Sequence, residues 1–223
     1  MDGAVAIVLA AGRGERLDAT IPKALVSVGG RSMVARAVQA ASACRGITAI
    51  VVVAPEGFEE PVTQIVQTFG VDAVVTGGPT RQASVRAALR SVAPEVRAVV
   101  CHDAARPFAT SDLFDRVLEG LDGWDGVVPT IPVVDTVKRV VGERVKATEP
   151  REALALAQTP QAFIAAALRD AHAAAERDGI QATDDAALLE RAGFRVRAID
   201  GERWNLKITT RDDVRLAEAI EGA

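Results

Sequence analysis

Five short apolar runs rich in β-branched residues punctuate the first 130 positions, at 5–9, 49–53, 73–76, 98–101 and 126–128. Stretches with helical periodicity separate the first four, near 31–43, 58–69 and 80–91, and a further one near 111–121 precedes the fifth. The runs are continuous instead of alternating, which predicts strands covered on both faces. Strand and helix taking turns predict an α/β fold, a doubly wound and mostly parallel Rossmann-like sheet. Ligands then gather at the carboxyl ends of its strands.

Beyond position 128 the pattern changes. Pro129 and Pro132 lead into Asp135-Thr136-Val137-Lys138-Arg139-Val140-Val141-Gly142-Glu143-Arg144-Val145, where alternation on either side of Gly142-Glu143 predicts two short strands. This is a protruding β-hairpin arm, at about 132–153. A hairpin alone is marginal in water, so a second copy of the chain is its expected support, making a homodimer. Helical periodicity returns at 161–177 and 184–192, followed by a strand at 195–199 and a last helix from about Arg211. With no repeat, linker or low-complexity segment, residues 1–223 are expected to form a single domain.

The chain is 49% hydrophobic and 25% charged, the balance of an ordinary globular protein. Its formal net charge of −4 argues against a general nucleic-acid or anionic-membrane surface. The apolar stretch from Ala4 to Ala11 is too short for a membrane span or a signal core, and Cys44 and Cys101 form no metal-ligand spacing. A cytoplasmic protein is expected. Lysine is scarce: Lys23, Lys138, Lys146 and Lys207 are the only four. Each marks a place where a compact ammonium differs from a guanidinium.

The first run ends in Leu9-Ala10-Ala11-Gly12-Arg13-Gly14. The dinucleotide pattern G-x-G-x-x-G fails, because Leu17 stands where its third glycine belongs, and the absence of any Gly-Lys pair excludes a Walker A loop. What remains is either a tight turn with solvated charges or a backbone cradle for an anion, flanked by Arg16 and Lys23. Pro22 fixes the chain before Lys23 and favours an ordered presentation of that lysine. Gly77-Gly78-Pro79-Thr80-Arg81-Gln82-Ala83-Ser84-Val85 brings a second small-residue turn to the same sheet edge, or simply a helix start capped by Thr80. His102-Asp103-Ala104-Ala105-Arg106-Pro107 follows the fourth run, where Asp103 and Arg106 could form a local ion pair. His102 reads as structural.

The stretch Leu9-Ala10-Ala11-Gly12-x-Gly14-x-Arg16 with Pro22-Lys23 resembles the signature of nucleotidyltransferases that join a nucleoside triphosphate to a phosphorylated sugar or polyol. Residues 77–85, Asp135-Thr136, Arg151, Gln158-Thr159-Pro160-Gln161, Thr183-Asp184-Asp185-Ala186 and Asn205-Leu206-Lys207-Ile208-Thr209 narrow the resemblance. Over nearly the whole chain it is similar to the 2-C-methyl-D-erythritol 4-phosphate cytidylyltransferases of the non-mevalonate isoprenoid pathway, in an arginine-rich, actinobacterial form. The resemblance implies CTP and a polyol phosphate as substrates, with Arg16, Lys23 and Lys207 on the triphosphate and its transition state. It implies Ala10, Ala11 and Gly12 around CTP, with Gly78, Pro79 and Ser84 on the cytosine, the proline through its carbonyl. Asp103, Arg106, Thr136, Thr159 and Thr183 would hold the methylerythritol phosphate, and Arg151 would reach the phosphate in the neighbouring subunit of a dimer joined through the arm. Mg²⁺ would ride mainly on the CTP phosphates, with Asp103 as a possible ligand. A ribitol-5-phosphate cytidylyltransferase and a non-catalytic CTP-binding module are the competing readings.

Overall fold

The computed structural model describes residues 3–12 and 21–222. Its centre is strand β1 (Ala4–Leu9), flanked by the parallel strands β4 (Ile47–Ala54) and β6 (Ala98–Asp103). Beyond β4 lies β5 (Ala73–Thr76). Beyond β6 lie β11 (Gln161–Ile164), β7 (Gly126–Pro132) and β12 (Val196–Asp200), and of these three only β11 runs against the direction of β6. β10 (Ala155–Ala157) pairs with β7 end to end with β11. The mostly parallel, doubly wound sheet is the one the apolar runs predict.

Alternation along β1 explains why the run looks continuous. Ala4, Ala6 and Val8 face a core shared with α1 (Met33–Ser42), α2 (Glu59–Val66) and α4 (Ser111–Glu119), whereas Val5 and Ile7 face α3 (Arg81–Leu89), α5 (Ala165–Arg177) and α6 (Asp185–Arg191). Both faces must be apolar because both are covered. Phe114 fills the first core and Phe163 the second, each fully buried; burial of a side chain of this size stabilises the fold by about 2–3 kcal/mol. Helix starts are fixed locally: Thr80, Thr110 and Asp184 each accept a hydrogen bond from a backbone N–H of the following turn.

A third, small core of Val28, Met33, Ile208 and Ala217 joins the two-residue strands β2 (Ser27–Val28) and β3 (Arg31–Ser32) to the last helix, α7 (Arg211–Glu221). Gly29 and Gly30 turn that hairpin at φ 57° and 76°, a region costly for other residues. The predicted arm is present as β8 (Val137–Val141) and β9 (Arg144–Glu149), which among the described residues pair only with each other and turn at Gly142. Val140, Val141 and Val145 on it are exposed.

One expectation is corrected. The stretch 161–177 reads as one helix, but its first four residues form β11, wedged between β6 and β7. Pairing on both edges overrides the helical periodicity that Ala162, Phe163 and Ala165 share with the alanine-rich segment after them.

Candidate functional site

The chain runs from β1 outward to β4 and β5 and then crosses back to β6 on the other side of β1, so the carboxyl end of β1 is the switch point of the sheet. A cleft of about 1020 Å³ opens there. Leu9 to Gly12, Pro22 to Ala24, Gly77 to Arg81, Ser84, Asp103, Ala105, Lys207 and Thr209 contribute to its walls. A smaller cavity, about 390 Å³, lies by Ala4 and Gly46 at the opposite edge, where Arg45 already pairs with Asp115.

The walls are close-fitting backbone. Ala10 N–H donates to the Val53 carbonyl and Ala104 N–H to the Leu9 carbonyl, so three strand ends are tied together before they splay into loops. A Cβ on Gly77 would collide with that of Ala11, and one on Gly78 would stand 2.5 Å from that of Ala83. Only glycine lets the two small-residue turns approach each other. Ser84 is buried beneath, its Oγ accepting from Gly78 N–H at 3.1 Å. The two readings of 77–85 are both met: Thr80 caps α3, and the same turn lines the cleft.

Lys23 begins a single 3-10 turn over Lys23–Leu25, entered from Pro22 at φ −52° and anchored by the buried Ala24. Lys207 comes from the other end of the sequence. Its loop is pinned by Ile208, which is buried and donates its N–H to the Ala105 carbonyl, and by Asn205, whose amide bonds Gln158 Oε1 and the Thr159 carbonyl. Gln158 in turn donates to the Glu202 carbonyl. The sequence motifs around 158 and 205 thus hold each other.

Asp103 ends β6 and is the electrostatic centre. Its Oδ2 accepts from Lys207 Nζ at 2.7 Å and its Oδ1 from Arg81 Nε at 3.1 Å. Burial alone would push its carboxyl upward, but the guanidinium of Arg81 and the ammonium of Lys207 outweigh that and hold it well below the usual carboxylate range. The ion pair with Arg106 does not form. Arg106 turns away, donating to the carbonyls of Asn205 and Ala157.

Behind Asp103 runs a buried chain of hydrogen bonds. Asp103 N–H donates to Thr159 Oγ1 at 3.0 Å; that hydroxyl lies 3.1 Å from His102 Nδ1, and His102 Nε2 lies 3.2 Å from the Arg106 carbonyl. The carbonyl only accepts, so Nε2 carries the proton and Nδ1 accepts from Thr159. Burial drives the His102 ring down from 6.5 to about 4, which keeps it neutral and structural. Between those values the unfolded chain binds a proton that the folded chain excludes, so stability rises with pH there. Acidification from pH 7 to 4 is expected to cost the wild type about 3 kcal/mol more than His102→Gln. Urea denaturation of both at pH 7, 5 and 4 checks this; identical pH slopes would remove the assignment.

Of the residues proposed from the sequence, the cleft gathers Ala10, Ala11, Gly12, Lys23, Gly78, Pro79, Ser84, Asp103 and Lys207. Arg106, Thr136, Arg151, Thr159 and Thr183 lie outside its walls. Thr159 is buried with its hydroxyl engaged, Thr136, Arg151 and Thr183 are exposed, and Arg151 donates to the Val134 carbonyl. Arg16 falls outside the described residues. Arg81 is the residue the sequence reading did not single out, although it is the only charged position in 77–85. Among the described residues no group of three or more His, Cys, Asp and Glu side chains gathers as a metal centre, and no helix is long and apolar enough to cross a membrane.

A cation-bearing cleft walled by two glycine turns, at the switch point of a parallel sheet, defines a nucleotide-binding α/β protein. Comparison with known proteins narrows this: residues 4–222 match the family model of 2-C-methyl-D-erythritol 4-phosphate cytidylyltransferase, and the chain belongs to that family. An enzyme of that name from Rhodococcus jostii is 46% identical over 223 residues, covering 98% of this chain and 96% of the relative. The crystal structure of the cytidylyltransferase from Thermus thermophilus superposes with a TM-score of 0.83 at 37% identity, over 100% of both chains. The 4-diphosphocytidyl-2C-methyl-D-erythritol synthase of Anaerococcus prevotii gives 0.87 at 28% identity, over 99% of both.

Proposed function

We propose that the protein transfers a cytidylyl group from CTP to 2-C-methyl-D-erythritol 4-phosphate, releasing pyrophosphate. Besides the family, the observation that carries this reading is the convergence of Lys23, Lys207 and Asp103 on one cleft beneath two glycine turns. A phosphate oxygen of the polyol, already ionised at neutral pH, attacks the α-phosphorus of CTP; the bond to the bridging oxygen of the β-phosphate breaks and its electron pair leaves with pyrophosphate. The barrier is repulsion between anions, so the chain supplies positive charge and alignment. Lys23, and Lys207 once it turns from Asp103, neutralise charge developing on the phosphates, with Arg16 assigned to the same work. No general base or covalent nucleophile is required.

Magnesium belongs to the same proposal. Among the described residues two carboxylates line the cleft, Glu56 and Asp103, and Asp103 is held ionised. That set suits a cation held mainly by the CTP phosphates and water, with Asp103 as a candidate protein ligand and charge neutralisation as the contribution the cation would make.

Arg106, Thr136, Thr159 and Thr183 are assigned to the polyol phosphate side by resemblance, Thr159 acting from behind through Asp103. Arg151 is assigned to the partner's site in a homodimer joined by the arm, which the exposed Val140, Val141 and Val145 support. Shortening the turn at Gly142 by removing 139–146 is expected to convert a dimer into a monomer in sedimentation runs; a wild type that is already monomeric would return Arg151 to its own surface.

Pyrophosphate release from CTP and Mg²⁺, with methylerythritol 4-phosphate and ribitol 5-phosphate supplied in parallel, tests the reaction. Release with the first alone is expected. Release with ribitol phosphate alone would overturn the acceptor, and CTP binding without release from either would leave only a binding module.

A further inference from the structure

Beyond Asp103 the charges continue inward. Arg81 Nη1 donates to Asp185 Oδ2 at 2.7 Å, and His172 Nε2 donates to Asp185 Oδ1 at 2.9 Å. Lys207, Asp103, Arg81, Asp185 and His172 form one file in which cationic and anionic groups alternate up to the imidazole. Its outer part meets solvent and its inner end does not: the Lys207 side chain is 45% exposed and that of Arg81 25%, while Asp185 and His172 are 1% and 2% exposed.

We propose that Arg81 is a positioning residue of the transfer reaction, holding Asp103 in place when Lys207 moves from that carboxylate to a substrate phosphate, and that Asp185 and His172 position Arg81 in turn. The proposal rests on the function argued above. Lys207 has the same ammonium for Asp103 and for an incoming phosphate, so engagement of one weakens its hold on the other. A buried carboxylate that loses one donor and has no other fixing it leaves its site. Arg81 prevents this, because its Nε donates to Oδ1, the oxygen that Lys207 does not hold. Arg81 also needs a fixed second carboxylate, or its fork would be free to follow Lys207 outward. Asp185 supplies it, and burial of that carboxyl is outweighed by Arg81 and by the His172 hydrogen bond, which keep it ionised.

The file links two substrate sides. Arg81 is the first residue of α3, directly after the turn at Gly78, and Asp185 is the first of α6, two positions beyond Thr183. A lysine in place of Arg81 keeps the charge but loses the two separately directed N–H groups that bridge Asp103 and Asp185.

The test uses the full chain with Arg81→Lys, Asp185→Asn and the double variant. Arg81→Lys is expected to lower kcat about 30-fold per folded molecule while KM for CTP stays within about threefold, and Asp185→Asn to lower kcat about tenfold. The double variant is expected to be no worse than Arg81→Lys alone, because the two residues act through one link. Wild-type kcat per folded molecule in Arg81→Lys, or simple multiplication of the two effects, overturns the proposal. A second readout needs no turnover: in crystals of the Arg81→Lys chain with CTP bound, the Asp103 carboxylate is expected in a different rotamer from the one it holds in the wild type. An Asp103 carboxylate in the wild-type rotamer likewise overturns it. A wild type that releases no pyrophosphate overturns the reaction instead, and the two failures are thereby told apart.

Discussion

Lys23→Ala lowers kcat/KM for CTP about 10³-fold and leaves the melting temperature within a few degrees of wild type, the expected result for a side chain whose charge serves the transition state. Removal of one donor from a preorganised anion site typically costs two to three orders of magnitude, and this ammonium stands on a short turn fixed by Pro22 and Ala24. Lys23→Arg is the sharper experiment. A guanidinium prefers two oxygens at fixed spacing, whereas an ammonium sits against one, so about a tenfold loss or more is expected although the formal charge is kept. Steady-state pyrophosphate release beside thermal denaturation checks both, and wild-type turnover in Lys23→Arg would sink the role assigned to this lysine.

Asp103→Asn has the second large effect, on both folding and turnover. The neutral amide leaves Arg81 with one carboxylate in a largely buried setting and removes the partner of Lys207. Breaking a buried pair from one side costs about 3 kcal/mol, which lowers the melting temperature of a chain this size by roughly 9 °C. The half-exposed Lys207 contributes the smaller share. Turnover falls about 100-fold or more as the amide replaces the charge at the strand end. Calorimetry and kinetics on the same preparation check this; an unchanged melting temperature would mean that the ion pairs contribute nothing net.

The parts of this molecule legible in its sequence are those where local pattern and tertiary setting agree. Continuous apolar runs reveal strands such as β1 because each face of the sheet has its own core. β11 was not legible: Gln161 to Ile164 has no breaker before the alanine-rich α5, and its strand state is dictated by edges contributed from elsewhere. The cleft was legible through its rarest features, the glycine turns and the scarce lysines. Arg81 was hidden by abundance, one arginine among 22, and its meaning arises only when Asp103 and Asp185 arrive from distant segments. The three-residue spacing of Asp103 and Arg106 suggested a pair that the fold refuses, since backbone carbonyls of Asn205 and Ala157 compete for the guanidinium. The mutual hold of Gln158 and Asn205 was likewise invisible, because nothing in either motif names the other.

The wedge of β11 between β6 and β7 has a consequence for the order of assembly. During synthesis β1, β4, β5 and β6 emerge first and are able to pair as a half-sheet, but the outer edge of β6 stays bare until residues 161–164 leave the ribosome. A chain interrupted after the arm therefore carries an open, apolar strand edge, the kind of surface that recruits other unfinished chains.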